Sequence, residues 1–260
     1  YLHKGVKPNP DDGDFPSKDL PSKFPPLERL RGTSDLPDLV RRMQEEYDSL
    51  IASHPTLTTY RMRRHVDWRM VVGLGRASVR ETNITLHHVY GLPYVPGSSV
   101  KGCVRSYVLL QAFWTENLME SDGDEAGNEL EGRGLRDPLF CQLFGCPEKI
   151  DKERKSYYEE ARRGRMRFFD AYPTEVPLVE RDILNPHYRD YYMDKKPPTD
   201  DQDPTPIYFL TLRETGFSFW LGEDTGTPSP TDIVGAAASP LYEATPETHR
   251  ESLLDVAVYW

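Results

Sequence analysis

The sequence is poor in cysteine and lacks any long apolar run. Its 260 residues include only 3 cysteines, Cys103, Cys141 and Cys146. Because this number is odd and the spacing is not that of a zinc site, we expect a reducing, intracellular compartment. No apolar stretch approaches the length of a membrane span, and the first residues, YLHKGVKPNPDDGD, do not resemble a signal peptide. The sequence therefore predicts a soluble, cytoplasmic protein without a membrane partner.

An excess of positive charge is also missing. The 42 acidic residues outnumber the 32 lysines and arginines, which gives a formal net charge of −10. Such a balance argues against a protein that coats DNA, but it leaves room for a local basic surface. Residues 61–105 are locally basic, with eight lysines and arginines against two acidic residues. These cations are Arg61, Arg63, Arg64, Arg69, Arg76, Arg80, Lys101 and Arg105.

Composition and periodicity divide the chain into an arm and a domain. Residues 1–33 are rich in Pro, Gly, Asp and Lys and lack periodicity, which predicts an extended or flexible arm. Residues 34–260 are expected to form one domain, which begins with an amphipathic helix. Two insertions are predicted in it: an acidic, solvated loop near 116–134 and a proline-rich linker near 194–206.

Strand and helix patterns alternate through the predicted domain. The segment from Thr56 to His88 is rich in β-branched and aromatic residues and is expected to form strands. A second helix is predicted from Ser98 or Ser99, and IYFLTLRETGFSFWL predicts a hairpin that turns at Glu214–Gly216. Strands interleaved with helices predict an α+β fold with a largely antiparallel sheet.

The stretch GLPYVPGSSVKGCVRSYVLL, residues 91–110, offers a candidate RNA site. Its Ser-Ser-Val-Lys-Gly order lacks the Gly-Lys-Ser/Thr of a phosphate-binding Walker loop, so nucleotide hydrolysis is rejected. The free amides of a helix N-terminus favour an anion, and Gly97 would let a phosphate approach closely. A serine N-cap followed by two solvated cations explains the same pattern without RNA. The candidate residues here are Gly97, Ser98, Ser99, Lys101, Gly102 and Arg105.

Two motifs carry a resemblance to a known family. TLHHVYGLPYVPGSSVKGCVRSY, residues 85–107, resembles the signature of the RAMP proteins of CRISPR systems, which are built on RRM-like (ferredoxin-like) modules. GRMRFFDAYP, residues 164–173, narrows the resemblance to the sixth subunits of the Cmr complex, a type III-B RNA-guided effector. The similarity covers residues 56–221. Members usually finish with a glycine-rich segment, which is not found here, so no RNA contact is assigned to it.

The resemblance implies a structural subunit without catalysis or cofactor. Such a subunit holds the 3′ part of the CRISPR guide RNA, helps to position the target RNA, and lies beside other RAMP subunits of the complex. In RNA-guided effectors the sequence is recognised by base pairing, while protein contacts to phosphates position the strand. We therefore expect RNA binding that weakens with salt. Further RNA-binding candidates are His88, Arg76 and Arg80, with a second cationic cluster at Arg162, Arg163 and Arg165.

Two other functions remain open from the residues alone. A metal-dependent ribonuclease would need ligands, and His87, His88, Glu81, Asp170 and His187 are of the required types. Adjacent histidines on a strand point to opposite faces, so the first two would not share a metal without a bulge. Asp170 is expected to be structural, pairing with an arginine or capping a turn. A pure protein-interaction subunit is the second alternative, favoured by the acidic total and by NPHYRDYYMDKKPP.

Overall fold

The structure is a computed structural model, and it describes six ranges of the 260-residue chain: 35–75, 84–115, 118, 123–148, 156–184 and 207–260. The predicted arm at 1–33 and the predicted linker at 194–206 lie outside the described residues, so both stay predictions. None of the helices in the described ranges combines the length and the apolar character that crossing a membrane requires.

Six α-helices occur in the described residues: α1 (Asp35–Ala52), α2 (Gly97–Ala112), α3 (Gly123–Leu135), α4 (Pro138–Phe144), α5 (Pro240–Ala244) and α6 (Leu253–Tyr259). The expectation of a solvated loop near 116–134 is wrong, because α3 occupies most of it. Its buried residues Ala126, Leu130 and Gly134 recur every four positions and form one face despite the acidic composition.

Nine strands accompany these helices in the described residues: β1 (Leu57–His65), β2 (Arg69–Met70), β3 (Gly145–Cys146), β4 (Arg162–Arg163), β5 (Met166–Phe168), β6 (Tyr172–Pro173), β7 (Leu178–Leu184), β8 (Ile207–Arg213) and β9 (Gly216–Asp224). All strand pairs with a defined register are antiparallel. The predicted α+β class is confirmed.

The described chain divides into two compact units. The first lies within Tyr1–Tyr47, Arg63–Val95 and Tyr172–Ser218. It contains a three-stranded sheet of order β2–β8–β7, in which β7 and β8 pair from Leu178↔Arg213 to Leu184↔Ile207. One face of α1 packs into its core, whose buried members are Leu36, Val40, Met43, Leu92 and Tyr172.

The second unit lies within Asp48–Met62, Pro96–Ala171 and Phe219–Trp260. In it β9 pairs with β5, with Phe168 opposite Leu221, and β3 pairs with β4. Helices α2 to α6 contribute to one hydrophobic core. Its fully buried side chains include Val108, Leu139, Phe140, Leu143, Leu241, Leu253 and Val256.

The predicted hairpin between β8 and β9 is wrong, although the break between the two strands lies at the predicted place. Glu214, which has a positive φ of 46°, lies in this break between Arg213 and Gly216. However, β8 lies between β2 and β7, so both of its edges are already hydrogen-bonded. The strand β9 therefore pairs elsewhere, with β5 and β6. Alternating apolar residues revealed two strands but not their partners.

A buried carboxyl in the second unit gives a prediction about pH. Glu223 is 7% exposed and accepts a hydrogen bond from the Leu254 amide of α6 at 3.2 Å. Burial raises the pKa of Glu223 above its ordinary value of 4.5. Because the pKa of Glu223 is raised in the folded protein, its protonated carboxyl stabilises the fold. This contribution is complete below pH 4.5, and it is lost as the pH rises through the folded-state pKa. Glu223→Gln, which keeps an acceptor oxygen without the charge, should remove this loss.

We therefore expect Glu223→Gln to gain stability relative to wild type as the pH rises from 4.5 to 7. Urea unfolding at both pH values measures the difference, and the exposed Glu243→Gln serves as the control. A constant difference between Glu223→Gln and wild type at the two pH values would contradict the expectation.

Candidate nucleic-acid interface

The helix α2 begins at Gly97, one residue before the predicted start at Ser98 or Ser99. Pro96 is its N-cap and provides no side-chain hydrogen bond. Instead, the Gly97 amide donates to Asp170 Oδ1 at 2.7 Å, so a carboxylate from the end of β5 caps this helix. The structural role predicted for Asp170 is confirmed, although it caps a helix and not a turn. The Asp170 carboxylate lies where the sequence predicts an RNA phosphate.

Contrary to the sequence-based prediction, Gly97 does not make room for a phosphate. Gly97 is buried, and a Cβ at this position would overlap the carbonyl oxygen of Phe168 and lie 2.9 Å from its carbonyl carbon. The missing side chain therefore makes room for the protein backbone rather than for a phosphate. Gly102 is different, because it is exposed and a Cβ there would meet no atom within 4 Å. It lies one turn after the exposed Ser98.

Lys101 lies beside cations from two separate segments. Burial of its ammonium, with the nearby positive charges of Arg105 and Arg163, lowers the pKa of Lys101. Within the described ranges, none of the ion pairs involves Lys101. The cationic cluster that the sequence places at 162–165 therefore acts electrostatically on Lys101 of α2. In that cluster Arg162 stacks on the Tyr158 ring, with 3.9 Å from its guanidinium carbon to the ring centroid.

Arg105 has protein partners that the sequence did not predict. Its Nη1 donates to Oε2 of Glu131 on α3 at 2.7 Å, and its Nη2 pairs with the other carboxylate oxygen. The guanidinium carbon also lies 5.0 Å from the centroid of the Phe140 ring. Arg105 therefore links α2 to α3 and α4, and its charge is balanced. Glu131 lies 26 residues after Arg105, and no local spacing in the sequence pairs the two.

The two histidines do not point to opposite faces, so that expectation is wrong. The rings of His87 and His88 stack at 4.9 Å, because the residues lie at a turn and not within a strand. No group of three His, Cys, Asp or Glu side chains suited to a metal occurs among the described residues. Glu81 and His187 lie outside the described residues, as do the RNA-binding candidates Arg76 and Arg80.

Comparison with known proteins identifies the family. Residues 69–235, which include α2, Asp170 and the 162–165 cluster, match the family described as the RAMP superfamily. The chain belongs to the RAMP superfamily. This RAMP protein is also 33% identical over 205 residues to the CRISPR system Cmr subunit Cmr6 of Pyrococcus furiosus. The match covers 67% of this chain and 59% of that protein, and it confirms the predicted resemblance.

Two solved structures are also similar to this RAMP chain. The type III-B Cmr-beta complex bound to cognate target RNA contains a chain that is 21% identical, with a TM-score of 0.47, covering 80% of this chain and 63% of that chain. The crystal structure of Cmr6 from Pyrococcus furiosus is 30% identical, with a TM-score of 0.35, covering 66% of this chain and 85% of that chain. Because both TM-scores are below 0.5, the family assignment depends on the sequence matches.

Proposed function

We propose that this protein is a non-catalytic, RNA-binding subunit of a type III-B CRISPR effector of the Cmr type. It holds the guide RNA toward its 3′ end and helps to position the target RNA beside other RAMP subunits. The similarity to Cmr6 supports the assembly part of the proposal. The surroundings of Lys101 carry the RNA-binding part.

A partly desolvated ammonium beside two further cations is electrostatically unfavourable unless an anion approaches it. Glu131 balances Arg105, but Lys101 and the exposed Arg163 make no ion pair within the described ranges. A phosphodiester would bring the missing charge and accept charge-assisted hydrogen bonds from Lys101. The open surface at Gly102 and the exposed hydroxyl of Ser98 leave space and a donor next to it. Such contacts hold the backbone without selecting a sequence.

The absence of catalysis in the proposal is supported by what two candidate groups already do. The Asp170 carboxylate accepts a hydrogen bond from the Gly97 amide. Nδ1 of His87 accepts hydrogen bonds from the amides of Val89 and Tyr90, at 3.3 Å each. Incubation of the pure protein with RNA and Mg²⁺ or Mn²⁺ tests this part. RNA cleavage that disappears in Asp170→Ala or His88→Ala would favour the ribonuclease alternative.

Charge reversal at Lys101 tests RNA binding directly. We expect Lys101→Glu to weaken binding of single-stranded RNA by about tenfold at low salt and to reduce the salt slope by about 0.7 for each lost phosphate contact. Arg42→Glu, at an exposed position on α1, makes the same change in net charge and should have little effect. Fluorescence titration at several salt concentrations measures both quantities.

Arg105→Glu is not a suitable test of RNA binding, because it would place two carboxylates together and break the link to α3. Arg163→Glu is the second variant, and it should resemble Lys101→Glu. Equal affinity and an equal salt slope for Lys101→Glu, Arg163→Glu and wild type would refute the proposed phosphate site. Absence of any salt slope would favour the pure protein-interaction subunit.

A further inference from the structure

A turn in the first unit carries a stack of three aromatic rings that the phosphate site does not use. The His87 ring stacks on His88, with centroids 4.9 Å apart and planes 24° apart. It also stacks on Tyr90, at 4.8 Å and 26°. His88 and Tyr90 are both exposed to solvent.

The backbone beneath the stack is held in one conformation by hydrogen bonds. The His87 amide donates to the Leu92 carbonyl at 2.8 Å, and the Gly91 amide donates to the His87 carbonyl at 2.8 Å. Gly91 has a φ of 65°, which glycine adopts without strain. An antiparallel bridge between Leu86 and Pro93 closes the base of the turn. The rings are therefore carried by an ordered turn.

Hydrogen bonds also fix the position of the central ring, His87. The amides of Val89 and Tyr90 both donate to His87 Nδ1, at 3.3 Å each. Nδ1 acts as an acceptor in both hydrogen bonds, which tie the ring to the backbone of its own turn. The ring at the centre of the stack is thus held in one position.

Further aromatic contacts anchor the stack in the core of the first unit. The His87 ring meets Tyr94 edge-on at 5.9 Å and Tyr172 at 5.7 Å. Tyr94 and Tyr172 stack on each other at 5.7 Å, and Tyr172 is buried in the hydrophobic cluster beneath α1. Because these contacts already hold the His87 ring in place, binding of a ligand to the stack costs little side-chain entropy.

We propose that the exposed rings of His88 and Tyr90 stack on an unpaired nucleobase of the bound RNA. This inference rests on the proposed function and adds a contact to bases, where the Lys101 site contacts phosphates. Near-parallel rings present flat π faces, which suit any base and therefore require no particular sequence. A protein partner would instead need a wider apolar surface, and at this turn the aliphatic contribution comes from Val89, which is 68% exposed.

Binding of two oligomers of equal length tests the proposal, with oligoadenylate carrying bases and an abasic ribose-phosphate oligomer carrying none. We use the full chain, alone and assembled with its partner subunits. In the double variant His88→Ala and Tyr90→Ala, we expect about tenfold weaker binding of oligoadenylate. Binding of the abasic oligomer and the salt slope should not change. Tyr90→Phe should retain wild-type binding, and Val89→Ala at the same turn should have no effect.

Several results would overturn the inference. Equal loss for both oligomers would show that bases are not contacted, and unchanged binding of oligoadenylate would exclude the stack. Loss of assembly with partner subunits without loss of RNA affinity would identify a protein interface instead. If Lys101→Glu binds normally while the double variant loses only oligoadenylate, base stacking stands and the phosphate site falls. If neither form of the wild-type protein binds RNA, both proposals fall.

Discussion

Replacing Gly97 by alanine is expected to lower the free energy of unfolding by about 3 kcal/mol. The added Cβ would overlap the Phe168 carbonyl oxygen and lie 3.0 Å from the carbonyl carbon of Phe169. Both obstacles are backbone atoms, which cannot move aside by rotating a side chain. Relief of the clash would separate α2 from β5 and lengthen the hydrogen bond between Gly97 and Asp170. Urea unfolding at neutral pH measures the loss.

Gly102→Ala is the matched control, because it makes the same change in the same helix. Its Cβ would enter open space, and alanine has the higher helix propensity, so we expect a gain of about 0.5–1 kcal/mol. The two alanine variants should therefore move stability in opposite directions. Destabilisation of similar size in both would mean that the close approach to Phe168 has no energetic importance.

Phe140→Ala is expected to cost about 3–5 kcal/mol of unfolding free energy. Phe140 is fully buried in the second unit, with ring centroids 4.9 Å from Phe144 and 5.8 Å from Phe113. Truncation would remove these contacts and leave a cavity between α2 and α4. It would also remove the ring beneath Arg105, which helps to hold the guanidinium against Glu131.

Leu110→Ala provides the comparison, since Leu110 is on α2 but 48% exposed. We expect it to change stability by no more than about 0.5 kcal/mol. Phe140→Leu should recover part of the loss, because it refills the cavity with apolar atoms without restoring the aromatic face. Thermal and urea unfolding of the three variants measure the series. A similar cost for Leu110→Ala and Phe140→Ala would contradict the assignment of the core.

Local sequence patterns predicted some elements well and others poorly. The amphipathic helix predicted at the start of the domain is α1. It was predictable because large apolar residues, among them Leu36, Val40 and Met43, form its buried face. Helix α3 was missed because its buried face is made mainly of small residues around Leu130, within an acidic segment that suggests a loop. The spacing of apolar residues therefore identifies the buried face of a helix only where the buried side chains are large.

Strand pairing shows a second limit of local patterns. Alternation around Glu214 located β8 and β9 and the break between them, but it contained no information about which strand edges were free. The partners of a strand depend on the topology of the whole sheet. The partners of β8 are β2 and β7, which come from other parts of the chain. Proximity in sequence therefore suggested a hairpin that the tertiary structure does not form.

The family, the α+β class and the helix that presents Lys101 could be predicted from sequence, because they depend on ordered motifs and on the spacing of residues along the chain. The role of each residue in that motif depends on the folded structure. Asp170 caps the helix at Gly97, Glu131 pairs with Arg105, and the charge of Arg163 acts on Lys101. Each partner lies far along the chain or on another element, and local spacing does not encode contacts that form only when distant segments pack together.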